Sequence, residues 1–137
     1  MTALRRNDQT TVGSVRNIRF RNIRCRGENG IVIYGEPDGR ISDITLENVS
    51  VEIVKETNWP AGQFDVRPCP QGYLPPDSQP IGADTPWGRP ATRECAILSV
   101  DGAERVRLDR VTVQAPATLG WVPFRANGDV AGTPEFR

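Results

Sequence analysis

The chain has 137 residues, 17 basic and 17 acidic side chains, and no histidine. Without imidazole there is no Ser-His-Asp or Cys-His nucleophile site, no His-ligated zinc site and no imidazole general base, so any chemistry falls to carboxylates, arginines or thiols. Zero net charge gives no electrostatic case for a nucleic-acid partner, and no apolar run reaches the ~20 residues of a membrane-spanning helix.

In chain order, Met1 to Thr11 is polar, with Arg5 and Arg6 but no apolar stretch behind them, so no secretory signal is expected there. The first structured segment begins at Val15, where the apolar residues are Val15, Ile18, Phe20, Ile23 and Cys25. A short strand, Gly30 to Gly35, and a Pro37-Asp38-Gly39 turn follow. The next segment places Ile41, Ile44, Leu46, Val49 and Val51 at the same offsets. The same offsets return at Ala103, Val106, Leu108, Val111 and Val113, behind a strand at Ala96 to Val100 and an Asp101-Gly102 turn.

All three sets step by three, two, three, two. A step of two keeps side chains on one face of a strand, and a step of three turns a corner and returns the next side chain inward. The offsets do not fit a helix, and the β-branched content favours strands. The expected fold is therefore all-β: a right-handed parallel β-helix (β-solenoid) of about three coils, with a long proline-rich loop insertion and a C-terminal cap. The coils take 12–57 and 95–116, the loop 58–94 and the cap 117–137, in a single partial domain. Asn22 and Asn48 share a corner position and can stack as an amide ladder, which Arg110 ends in the third coil. Residues 1–26 carry seven arginines and one aspartate, whereas 28–56 carry seven acids against Arg40 and Lys55. Stacked coils would therefore set Arg16, Arg19, Arg21 and Arg24 against Glu47 and Glu52, a mutually neutralising face.

The insertion holds eight of the 12 prolines between Asn58 and Pro90, together with Trp59 and Trp87. It is too rich in proline for a strand and too aromatic for a disordered linker, which leaves an ordered loop over one flank, where such scaffolds carry function. Cys25, Cys69 and Cys95 are too dispersed for a zinc knuckle; they allow one disulfide and one free thiol. No cofactor or metal site is expected.

With these residues the chain resembles the pectinase-type parallel β-helix enzymes of glycoside hydrolase family 28, the polygalacturonases. One carrier is Val15–Ile53, which is similar to the Asn-Ile-x-Phe-x-Asn-Ile coils of that family's C-terminal half. The other is Trp-Pro-Ala-Gly-Gln-Phe-Asp-Val-Arg-Pro-Cys-Pro-Gln-Gly (Trp59–Gly72), followed by Trp-Val-Pro-Phe-Arg-Ala-Asn-Gly (Trp121–Gly128) as its closing segment. The resemblance implies a pectic polysaccharide partner, a usually exported protein, and inverting hydrolysis by aspartates in Asn-Thr-Asp and Asp-Asp segments with a Gly-His-Gly. This sequence contains none of the three segments.

Inversion needs a carboxylic acid for the leaving oxygen and a carboxylate for the water. The remaining acids, Asp65 with Asp77 or Asp84, or Glu28 with Glu36, have no spacing that enforces such a pair. The expectation is a C-terminal portion of such a hydrolase without its own catalytic residues. Its substrate-binding residues would be Trp59, Asp65 and Arg67, through stacking on a pyranose and an arginine on a uronate carboxylate; Asp65 and Arg67 can equally pair with each other. The alternative is a stand-alone, non-catalytic module for carbohydrate or protein binding. An open N-terminal coil edge would favour self-association.

Overall fold

A computed structural model of the chain describes residues 2–3, 13–35, 40–56, 63–65, 92–94, 96–120 and 122–137. Among the described residues the strands are β1 (Thr2–Ala3), β2 (Ser14–Gly27), β3 (Ile31–Gly35), β4 (Arg40–Ile53), β5 (Gln63–Asp65), β6 (Thr92–Glu94), β7 (Leu98–Gln114), β8 (Phe124–Ala131) and β9 (Glu135–Phe136). Seven of them form one sheet in which every pairing is parallel: β2 on β4, β4 on β7, β3 on β7, β1 on β3, and both β8 and β9 on β7. The architecture is all-β, an open and strongly curled parallel sheet.

The apolar periodicity sets the register. Val15 pairs with Ile41 and Ile41 with Ala103; Ile18, Ile44 and Val106 follow, as do Phe20, Leu46 and Leu108. Ile23, Val49 and Val111, then Cys25, Val51 and Val113, complete five columns running across the strands. The β4 and β7 members of these columns are buried, together with Ile33, Ile53, Leu98 and Val100. Removing such a side chain from water contributes about 1.5–3 kcal/mol. A slip of one residue would turn the set outward, which explains why the register is so sharply fixed. No buried side-chain nitrogen or oxygen among the described residues lacks a hydrogen-bond partner.

The curl comes from the second residue of each three-residue step. Asn17, Asn22, Asp43, Asn48, Arg105 and Arg110 all have φ between 51° and 58°, the left-handed region. Asn and Asp enter it at low cost, because their short polar side chains bond locally, whereas an ordinary residue loses about 1–2 kcal/mol. The amide ladder is present, with Asn48 Nδ2 donating to Asn22 Oδ1 at 2.8 Å. Arg110 ends it and holds the same bend with the wrong residue type. Arg110→Asn is expected to raise stability by about 1 kcal/mol by removing the bend's strain and lengthening the ladder. A urea midpoint equal to or below that of the parent would contradict this.

Two details differ from the reading of the sequence, and a third adds strands to the segment expected as the cap. The Asp101-Gly102 turn lies inside a continuous β7 rather than between two strands. Gly102 has φ +64°, and a Cβ there would sit 2.3 Å from the Gly35 carbonyl oxygen, so the layers touch backbone to backbone at this point. In the proline-rich insertion, Gln63-Phe64-Asp65 contains no proline and forms an antiparallel pair with Thr92–Glu94, joining Asp65 to Thr92 and Gln63 to Glu94. In the 117–137 segment, a 3-10 turn at Ala117–Leu119 leads to β8 and β9, which add themselves to the β7 edge.

Candidate functional site

Of the residues expected to bind substrate, Asp65 is the last residue of β5, with its backbone opposite Thr92. Trp59 and Arg67 lie outside the described residues, as do Glu36, Asp77, Asp84, Cys69 and Cys95. The structure does describe the frame from which the insertion departs and to which it returns.

The departure point is pinned by Glu28. Its carboxylate accepts from Lys55 Nζ at 3.2 Å and from the Glu56 backbone N–H at 2.8 Å. Arg26 reaches Glu56 at 3.1 Å and Glu52 at 3.8 Å. These pairs fix the last residues before the loop to the β2 side of the sheet. Returning from the insertion, Ala96 and Ile97 are buried. The Ile97 carbonyl accepts from Ile31 N–H, and its own N–H donates to the Val122 carbonyl, both at 2.9 Å. The described residues on both flanks of the insertion are thus tied to neighbouring strands.

The outward face is a network of ion pairs rather than a set of free acids. Glu47 lies between Arg21 (3.3 Å), Arg110 (3.6 Å) and Arg19 (4.0 Å), so one acid ties three layers. The expected facing of first-coil arginines and second-coil acids is met by Arg19 and Arg21 on Glu47; Glu52 takes Arg26 rather than Arg24. Exposed pairs of this kind contribute less than about 1 kcal/mol each. Arg105 forks onto Asp43, with Nε to Oδ1 at 2.7 Å and Nη2 to Oδ2 at 3.0 Å, while Ser42 Oγ donates to Oδ2 at 3.0 Å. The sequence reading missed this fork. Its signal was present, since residues 43 and 105 hold the same position within the three-two repeat of β4 and β7.

Those hydrogen bonds, Arg105 first and then Ser42, hold the Asp43 carboxyl at about 2, below its ordinary 3.8. This is opposite to the upward shift of a general acid. It also makes stability depend on pH. A carboxyl depressed in the folded chain contributes in full above the unfolded value, near pH 4, and loses that contribution as pH falls through about 2. Asp43→Asn should therefore lose less stability than the parent between pH 5 and pH 2. Parallel acid-unfolding curves for the two proteins would contradict the assignment.

A polar recess of about 260 Å³ opens beside the Arg26–Glu52 pair, with Arg24, Ser50 and Gln114 also on its walls. Cys25, which also lines it, is free and exposed. Among the described residues no group of three His, Cys, Asp or Glu side chains stands close enough to hold a metal ion, and no helix is long and apolar enough to cross a membrane. Chemically, this face can bind through guanidinium and hydroxyl donors. Comparison with family models, with curated proteins and with solved structures returned no match in any of the three.

Proposed function

We propose that the chain is the C-terminal coil segment of a polygalacturonase-like hydrolase, a scaffold that holds pectic polysaccharide without cleaving it by its own residues. In this reading the curled sheet is a right-handed parallel β-helix, and the insertion borders a sugar groove. The observation that carries the reading is the repeated corner: an identical pair of left-handed bends, five positions apart, in each of β2, β4 and β7, with the columns between them in register. Coils of this build, interrupted after the second by the Trp59–Pro68 segment, are the combination on which the resemblance rests.

The chemistry assigns each residue a separate task. Trp59 offers an apolar face for a pyranose ring, Arg67 a planar two-donor fork for a uronate carboxylate, and Asp65 an acceptor for sugar hydroxyls or for Arg67 itself. Hydrolysis would require two opposed carboxylates. Of the acids first weighed as such a pair, Glu28 is bonded to Lys55 and the Glu56 amide, while Asn-Thr-Asp and Asp-Asp segments are absent from the sequence.

The test is retention on immobilised polygalacturonate at low ionic strength. The parent protein should be retarded and Arg67→Lys only weakly so. The Trp59→Ala, Arg67→Ala double variant should elute with the void, because a charged hydrogen bond and a stacked ring together are worth about 2–4 kcal/mol. Equal retention of parent and double variant would remove the sugar-binding role.

A further inference from the structure

The geometry points to a second binding site, for a single uronate ring (a sugar carrying one carboxylate), in the polar recess on the outward face of β2, β4 and β7. It shares no residue with the insertion, and its ligand follows from the donors and acceptors of the recess itself.

Register builds the recess. Arg24 is paired with Ser50, and Arg26 with Glu52 and then Gln114, so two outward rows run side by side across the strands. The Cys25–Val51 pair between them belongs to an inward column, which leaves a furrow of about 260 Å³ between the rows. Three strands supply its walls. A further strand beside β2 would lie in the plane of the sheet, so it would lengthen the furrow without covering its mouth. Small-molecule sites begin at about 300 Å³, so the space suits one free or terminal ring rather than the interior of a polysaccharide.

Charge selects the ligand. Arg26 already lies 3.1 Å from Glu56 and 3.8 Å from Glu52. Arg24 is exposed and meets no acid among the described residues, so one guanidinium remains for one carboxylate. Its planar fork binds a carboxylate through two hydrogen bonds, and the Ser50 hydroxyl beside it is a further donor. On the other row Glu52 and the Gln114 amide oxygen are acceptors, which suit sugar hydroxyls. Glu52 is 53 % exposed and repels a doubly charged ligand made only of acceptors, such as sulfate. A uronate carries a single charge and several hydroxyl donors, and so matches both rows.

Titration of isotope-labelled protein with galacturonate, followed at the backbone amides by NMR, tests the assignment. Amides of residues 24–26, 50–52 and 114 should shift and saturate together. Galactose, which lacks the carboxylate, should leave them unmoved, and sulfate should shift them more weakly than galacturonate. Arg24→Ala should weaken the galacturonate response about tenfold, the loss of one charged hydrogen-bonded contact. Gln114→Ala should weaken it about threefold, and reads the recess from another strand if the Arg24 variant fails to fold. The Trp59→Ala, Arg67→Ala variant should keep these shifts, so failure of the insertion's groove and failure of the recess are told apart. Immobilised polygalacturonate presents few chain ends, and retention on it still reports on the insertion. No saturable shift at these amides, an equal response to galactose, a stronger one to sulfate, or unchanged affinity in both recess variants would overturn the proposal.

Discussion

Truncating Ile44 to alanine should lower the unfolding free energy by about 4 kcal/mol. Ile44 has no exposed surface and sits in its column between Ile18 on one strand and Val106 on the other. Its neighbours belong to parallel ladders that hydrogen bonds hold at fixed spacing, so the walls cannot collapse into the space left by three carbons. Ile18→Ala, in the same column but at the edge, should lose only about 1–2 kcal/mol, because Ile18 is partly open to water and leaves a groove rather than a cavity. Urea denaturation of both variants measures the difference. Equal losses would mean that the columns are not stacked in the order β2, β4, β7.

The second large effect is expected at Gly102. Alanine there meets two independent penalties. Its backbone, at φ +64°, is costly for an L side chain by about 1–2 kcal/mol. Its Cβ would stand 2.3 Å from the Gly35 carbonyl oxygen, which is backbone and cannot swing aside, adding overpacking of about 1–3 kcal/mol. Gly102→Ala should thus lose about 3 kcal/mol and loosen the β3–β7 pairing. Gly13→Ala serves as the control: nothing lies within 4 Å of its Cβ position, and stability should stay within about 0.5 kcal/mol. If the two substitutions have the same effect, the backbone contact between layers is wrong.

The features legible in the sequence are those that periodicity encodes. Inward side chains stack on their counterparts one layer away, so equal offsets in three segments translate directly into the pairings Val15–Ile41–Ala103 through Cys25–Val51–Val113. Asn and Asp at the corners mark the left-handed bends by residue type; Arg105 and Arg110 mark them only through alignment with the other two segments. β8 escaped notice because its residues are mostly exposed. Ala126, Asn127, Gly128 and Asp129 show no apolar alternation, and the strand takes its register from the β7 edge, not from its own burial. The β5–β6 pair was hidden by Pro60 before β5 and by the prolines from Pro68 to Pro90 between the two strands.

Site geometry was legible only in part, for a related reason. Loop positions such as Trp59 and Arg67 follow no period, so their identification rests on resemblance to a motif and not on a pattern that forces them together. The pairing of Arg19 and Arg21 with Glu47 followed from the charge segregation between 1–26 and 28–56, whereas that of Arg110 did not. The partner of Glu52 did not, because Arg24 and Arg26 both point outward and register alone selects Arg26, directly opposite.

The claim that joins fold to function is that this chain holds a pectic chain without cutting it. Proton NMR of an oligogalacturonate of defined length, mixed with the protein, tests both halves at once. The expected result is saturation transfer from the protein to the sugar ring protons, with the reducing-end anomeric signals unchanged in intensity over time. Growth of new anomeric signals, or sugar protons that receive no saturation, would contradict the account.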